Sequence, residues 1–239
     1  MFKKALLPTA LILASGAANA GIVTNDTDIL TGNDHAQLSE WLGSDFDLTR
    51  IFAKGIDGDT SHDWHDSVDN KGATFTVMEV FDNDTNERLV IGGYNATSWT
   101  SNVGWGNGAG SFLFNLSGDL LYEQNARQPS GMNTTYNHGN LGVLFGIGHD
   151  LRVNGDLTTG YANIGATYGD MSQYKSETYQ EEFAGSYDNW TIGAYETFTL
   201  SASTGNFGEG AIANVPVSFL LGGLGLFGLM ASRRKKLLN

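Results

Sequence analysis

Residues 91–116 read IGGYNATSWTSNVGWGNGAGSFLFNL. A branched apolar residue leads into the paired Gly92-Gly93, and the aromatics Tyr94, Trp99 and Trp105 follow among Ser, Thr and Asn. A glycine-rich stretch then gives way to the alternating apolar run Ser111–Leu116. This order describes a strand, a long surface loop from Thr100 to Gly110, and a second strand. No obvious nucleophile, base or metal cage stands in it.

Working outward, Ala73–Phe81 alternates and is rich in branched and aromatic residues, the mark of a strand. Asp82-Asn83-Asp84-Thr85-Asn86 is a polar hairpin loop, and Arg88–Tyr94 is the returning partner. Ser117-Gly118-Asp119 turns the chain from Ser111–Leu116 into Leu120-Leu121-Tyr122. Downstream, Gly142–Gly148 (GVLFGIG) is a core run, Asp150–Val153 continues it, Ala162–Tyr168 follows, and Trp190–Leu200 closes the sheet. Upstream, Asn33-Asp34 offers an N-cap for a short helix carrying Leu38, Trp41 and Leu42 on one stripe. Asp47–Ala53 reads as a short strand, Asp57-Gly58-Asp59 as a turn, and Ser61–Val68 as a helix with Trp64 and Val68 on one face.

The two ends differ from the middle. Lys3 and Lys4, the apolar stretch Ala5–Ala14 and the small-residue site Ala18-Asn19-Ala20 form an export signal over residues 1–20, with cleavage before Gly21. At the other end Val215-Pro216 precedes an apolar run, Val217–Ala231, closed by Arg233, Arg234, Lys235 and Lys236. At a rise of ~1.5 Å per residue that run is shorter than the ~30 Å hydrocarbon core. Its glycines weaken it further, as suits a transient anchor whose basic end stays cytoplasmic. The tail, residues 215–239, resembles the PEP-CTERM sorting signals, in which a Val-Pro pair precedes an apolar helix and an arginine-rich end. That resemblance implies exosortase-type sorting machinery as a partner. The chain departs from the common form in having Val217-Ser218 after the proline.

Of the 13 Lys and Arg residues, six lie in these end segments; all 26 acidic residues lie between them, leaving residues 21–214 at a formal charge of −19. Such a surface excludes a nucleic-acid role. With no cysteine, thiol catalysis, disulfides and cysteine-held metals are excluded too. The 32 glycines and three prolines, with abundant Thr, Asn and Asp, favour strands joined by turns.

The collinear motifs resemble the TLDc domain. They comprise Arg50–Asp59, Trp64-His65, Lys71-Gly72-Ala73-Thr74, Gly92-Gly93-Tyr94 with Ser98-Trp99, and Phe112–Leu116. Phe145-Gly146 with Gly148-His149-Asp150-Leu151, a strand over Asn163–Tyr168, and Ala194-Tyr195-Glu196 complete them. The resemblance covers residues 35–200, after a polar leader at 21–34 and before a small-residue linker at 201–214. It implies an α+β fold: a mostly antiparallel sandwich of two curled sheets with short peripheral helices. It also implies that Trp99 belongs to the core. Relatives in eukaryotes are associated with oxidative-stress protection and the vacuolar proton pump, neither of which transfers to an exported chain by fold alone.

Candidate chemistry rests on His35, His62, His65, His138 and His149. His62 and His65, three apart on a predicted helix near Asp57, Asp59, Asp63 and Asp66, could contribute metal ligands. Against this, the resemblance already accounts for His65 as scaffold. Asp57, Asp59 and Asp63, or Asp82-Asn83-Asp84, could hold calcium loosely, but no twelve-residue EF-hand loop exists. His149-Asp150 with Ser111 or Ser130 lacks a nucleophile elbow, and Asp150 reads instead as a turn cap accepting backbone donors. Glu181-Glu182 reads as surface. Trp105, flanked by glycines and amides, is the best single ligand contact.

The sequence therefore points to an exported, envelope- or surface-directed module. It is non-enzymatic, binds extracellular polysaccharide or a surface protein, and is held to the membrane by its carboxy-terminal helix. No resident cofactor is expected. The alternative is a metal-dependent or hydrolytic enzyme built on His62, His65 and the nearby aspartates.

Overall fold

The structure is a computed structural model, describing residues 23–24, 27–55, 59–126 and 131–203. The stretches read as an export signal (1–20) and a sorting tail (215–239), most of the linker, Asp57 and Ser130 lie outside the described residues.

The chain order is β1 (Val23–Thr24), α1 (Gly32–Leu42), β2 (Phe46–Ala53), α2 (Ser61–Val68), β3 (Thr74–Asp82) and β4 (Arg88–Asn95). Next come β5 (Gly104–Gly106), β6 (Phe112–Asn115), β7 (Leu120–Glu123), β8 (Thr135–Asn137), β9 (Leu144–Phe145) and β10 (Leu151–Val153). After β11 (Gly160–Ala162), a 3₁₀ turn at Met171–Gln173 and α3 (Glu177–Ala184) lead to β12 (Trp190–Ala202). A seven-stranded sheet runs β1-β2-β12-β3-β4-β6-β7, and a five-stranded sheet runs β11-β10-β9-β8-β5. All pairs are antiparallel except β1 with β2. This is the α+β arrangement of two sheets with short helices that the sequence implied.

The large sheet is buried on both faces: every residue of 74–78 in β3 and of 89–95 in β4 is buried. On one face Met78, Val80, Leu89, Ile91 and Tyr195 share a core with Phe145, Leu151 and Val153 of the small sheet and with Trp64 and Val68 of α2. On the other, Phe75, Val77, Val90, Phe114 and Phe198 pack with Leu38 of α1 and with Ile29 and Leu30 ahead of it. Each such side chain, fully buried, contributes on the order of 1.5–3 kcal/mol relative to exposure.

Gly92 and Gly93 sit at the centre of this double packing. A Cβ on Gly92 would lie 2.1 Å from the Thr76 carbonyl oxygen and 2.7 Å from the Phe114 ring. One on Gly93 would lie 2.7 Å from both Leu113 and Phe145. The pair thus admits an aromatic ring against each face of β4.

Three local expectations are corrected. Helix α1 is capped by Thr31, not Asn33-Asp34: Asp34 N–H donates to Thr31 Oγ1 (3.3 Å) and Thr31 N–H to the Asp34 carboxylate (2.8 Å), a reciprocal box. Strand β12 does not close the sheet but lies inside it between β2 and β3, its register shifting twice. Residues 163–168 are not a strand; after β11 ends at Ala162 they turn over the Asp150 carboxylate.

Candidate functional site

Of the five tryptophans, Trp64, Trp99 and Trp190 are buried and Trp41 partly so, whereas Trp105 is 44 % exposed. Trp99 is anchored by its indole N–H, which donates to Thr74 Oγ1 at 3.0 Å. Tyr94 is buried against Phe75 and Phe112. Of the aromatics in the 91–116 stretch, Trp105 alone is exposed.

The loop expected over Thr100–Gly110 contains strand β5, which forms one edge of the small sheet. Trp105 faces Tyr136 across the β5–β8 pair, and the two rings meet edge to face at 4.8 Å. His138 lies 6.5 Å beyond Tyr136, and Val103 is 65 % exposed beside them. The result is an aromatic ledge on a paired strand, stiffer than a loop side chain.

Helix α2 positions the ledge. His65 is buried, its Nδ1 is 2.6 Å from Asp69 Oδ1, and its Nε2 is 3.3 Å from the His138 carbonyl oxygen. The second oxygen of Asp69 accepts the Ser101 N–H at 2.6 Å, and the Asn137 side chain accepts the Thr100 N–H at 3.3 Å. The segments entering β5 and leaving β8 are thereby tied to one helix.

The remaining candidates do not converge. His62 is exposed while His65 is buried and engaged at both nitrogens. Asp63 is occupied by Thr60 at the start of α2, and Asp59 accepts the Gly55 N–H. Asp82 Oδ1 accepts Asp84 N–H, Thr85 N–H and the Thr85 hydroxyl, and those bonds hold its carboxyl below the usual range. Among the described residues no group of three or more His, Asp or Glu side chains is placed to share a cation. His149 pairs with the Tyr161 hydroxyl rather than with a carboxylate. Ser111 Oγ accepts the Ala96 N–H, apart from any His–Asp relay.

Asp150 is fully buried and accepts backbone N–H groups from Ala166 (2.9 Å), Thr167 (3.0 Å) and Tyr168 (3.1 Å). Burial pushes its carboxyl up to about 6, against the opposing pull of those donors. It is the turn cap that the sequence suggested. Likewise Glu196 is buried and receives Arg50, the Thr27 hydroxyl and the Asp28 N–H.

The family model of the TLDc domain matches residues 23–201. The chain belongs to the TLDc domain family. The match takes in both sheets, all three helices and the ledge. No curated protein matches the chain. Among the described residues no helix of this TLDc protein is long and apolar enough to cross a membrane; the tail expected to do so lies outside them.

Sequence reasoning missed helix α3 and the segment around Tyr187. The signal was available: Gln180, Phe183 and Ala184 are the buried stripe of α3, spaced i, i+3, i+4 after a serine cap.

Proposed function

We propose that this TLDc protein is an exported, envelope-directed binding module without catalytic activity, and that the Trp105–Tyr136 ledge is its contact with extracellular polysaccharide. The observation that carries the reading is the exposed Trp105 ring, held on a paired strand between Gly104 and Gly106, with the exposed Asn102 and Asn107 close to it along the chain. An open aromatic face receives the C–H face of a sugar ring while amides serve its hydroxyls. The −19 balance of residues 21–214 fits a soluble extracellular module and repels nucleic acid. The signal-like residues 1–20 and the tail with Val215, Pro216, Arg233 and Arg234 support export and handling by exosortase-type machinery.

Isothermal titration of the full-length protein with a neutral β-glucan and with polygalacturonate tests the ledge. Saturable binding that weakens about tenfold in Trp105→Ala, at unchanged Tm, is the expected result, equivalent to ~1.4 kcal/mol. Equal affinity in the variant would refute it. For the ends, a reporter placed between residues 1–22 and 205–239 is expected in the envelope fraction; a wholly cytoplasmic reporter defeats that part.

A further inference from the structure

A second aromatic patch lies at the edge of the small sheet opposite Trp105. The register pairs Trp105 with Tyr136, Leu144 with Arg152 and Arg152 with Tyr161. Thr135 pairs with Phe145, so one residue on Tyr136 comes opposite Leu144. These five residues therefore form one cross-strand row on the same face, from β5 to β11. Four strand intervals of ~4.8 Å separate its ends by about 19 Å. Leu144 in the middle is buried, so the row reaches solvent towards its two ends.

Beyond Tyr161 the ring of Tyr187 stacks on it at 5.5 Å and 24°, and Tyr187 is 46 % exposed. It borders a cleft of ≈ 350 Å³ lined also by Asn163, Lys175, Glu177 and Gln180. That volume lies within the range of small-ligand sites. The platform is braced from behind: the Arg152 guanidinium lies 5.3 Å from the Tyr161 ring centre, and the Tyr161 hydroxyl bonds His149. Arg152 Nε is buried with no acceptor. Lys175, on the cleft wall, holds a left-handed backbone at φ 68°, uncommon for a lysine, and its ammonium lies 5.3 Å from the Tyr174 ring centre.

Gln180 is bonded at both ends to the Ile164 backbone and the Asn163 NH2 to the Gly148 carbonyl and the Tyr174 hydroxyl, so the rim offers the Asn163 amide oxygen, the Lys175 ammonium and the Glu177 carboxylate. A flat aromatic face with such a rim is the chemistry that holds a polyhydroxylated ring: the face takes the C–H side and the rim takes the hydroxyls. We propose that the Tyr187 cleft is a second saccharide subsite, and that one linear polysaccharide chain occupies both it and the Trp105 ledge. This rests on the reading of Trp105 as a saccharide platform. The row from Trp105 to Tyr161 spans about 19 Å and Tyr187 stacks on its far end, so both subsites are fixed to one sheet; the second contact is then intramolecular, and long chains gain affinity that short ones lack.

The test compares a disaccharide with the polymer of the same sugar, for β-glucan and polygalacturonate, on full-length wild type, Trp105→Ala and Tyr187→Ala. Wild type is expected to take two disaccharides and to prefer the polymer by about tenfold or more per site. Tyr187→Ala, with Tm unchanged, is expected to take one disaccharide and to lose the chain-length preference. A preference retained in Tyr187→Ala but lost in Trp105→Ala overturns the cleft and leaves the ledge standing. One disaccharide site destroyed by Tyr187→Ala and untouched by Trp105→Ala overturns the ledge and the bridging chain together. No saturable binding of any of these probes to wild type overturns both.

Discussion

His65 Nδ1 lies 2.6 Å from Asp69 Oδ1, and through Asp69 it reaches the Ser101 N–H at the foot of the Trp105 ledge. His65, one of the two histidines weighed as metal ligands in the sequence, is thus a strut between α2 and the ledge. His65→Ala is expected to lower unfolding free energy by about 1–3 kcal/mol, because Asp69 and the His138 carbonyl lose a buried partner. It should also weaken polysaccharide binding by loosening Trp105. Zinc should leave wild-type Tm unchanged. A zinc-dependent rise in Tm that His65→Ala abolishes would instead restore the metalloenzyme reading.

Arg50 and Glu196 form a second anchor, with Nη1 2.5 Å from Oε1 and the Glu196 side chain 2 % exposed. The same carboxylate holds Thr27 and Asp28, so it ties the segment ahead of α1 to the middle of the large sheet. Arg50→Met strands a buried charge and is expected to cost about 3–5 kcal/mol in urea unfolding. Asp28 lies 3.6 Å from the same guanidinium but is 82 % exposed; Asp28→Ala should stay within about 1 kcal/mol of wild type. Equal costs for the two substitutions would refute this ranking.

The large sheet was readable in advance because its strands are long enough to show their pattern: β3, β4 and β12 run nine, eight and 13 residues. The small sheet was not. Its strands are two or three residues each, too short for alternation to emerge, and β9 lies in a run whose glycines read only as core. Residues 163–168 misled for a related reason. Ile164, Ala166 and Tyr168 alternate like a strand, but the buried Asp150 carboxylate takes three successive backbone N–H groups there that a neighbouring strand would otherwise take. Of the site, Trp105 could be named from its glycine and amide neighbours. Its partner Tyr136 and the Tyr161–Tyr187 stack come from distant segments, and one-dimensional spacing carries no trace of them.

Gly92 and Gly104 give a matched pair of substitutions in the decisive stretch. Ala at position 92 must displace the Thr76 backbone or the Phe114 ring, whereas nothing lies within 4 Å of a Cβ at position 104. Gly92→Ala is therefore expected to cost about 3 kcal/mol or more, with loss of near-ultraviolet circular dichroism as the aromatic packing around Phe75 and Phe114 opens. Gly104→Ala should be neutral or stabilising by a few tenths of a kcal/mol, through the unfolded chain. Comparable losses in both would mean that β4 does not carry rings on both faces.

Asp150 gives the pH dependence its sign. Folded, its carboxyl is raised to about 6 from the ordinary 3.8, chiefly by burial. Between those values the native state holds the proton more firmly than the unfolded chain, so stability from this group is full below about 3.8 and is lost as pH rises through about 6. Asp150→Asn removes the titration while keeping one acceptor for the turn at 166–168. The free-energy advantage of wild type over Asp150→Asn, from urea unfolding at successive pH values, is expected to shrink between pH 4 and 7 by up to about 3 kcal/mol. Above about pH 7 it should be flat, since the folded carboxyl is then ionised and held by its three N–H donors. An advantage that grows with pH across the window would mean that the donors outweigh burial, and that the Asp150 carboxyl is lowered rather than raised in the folded protein.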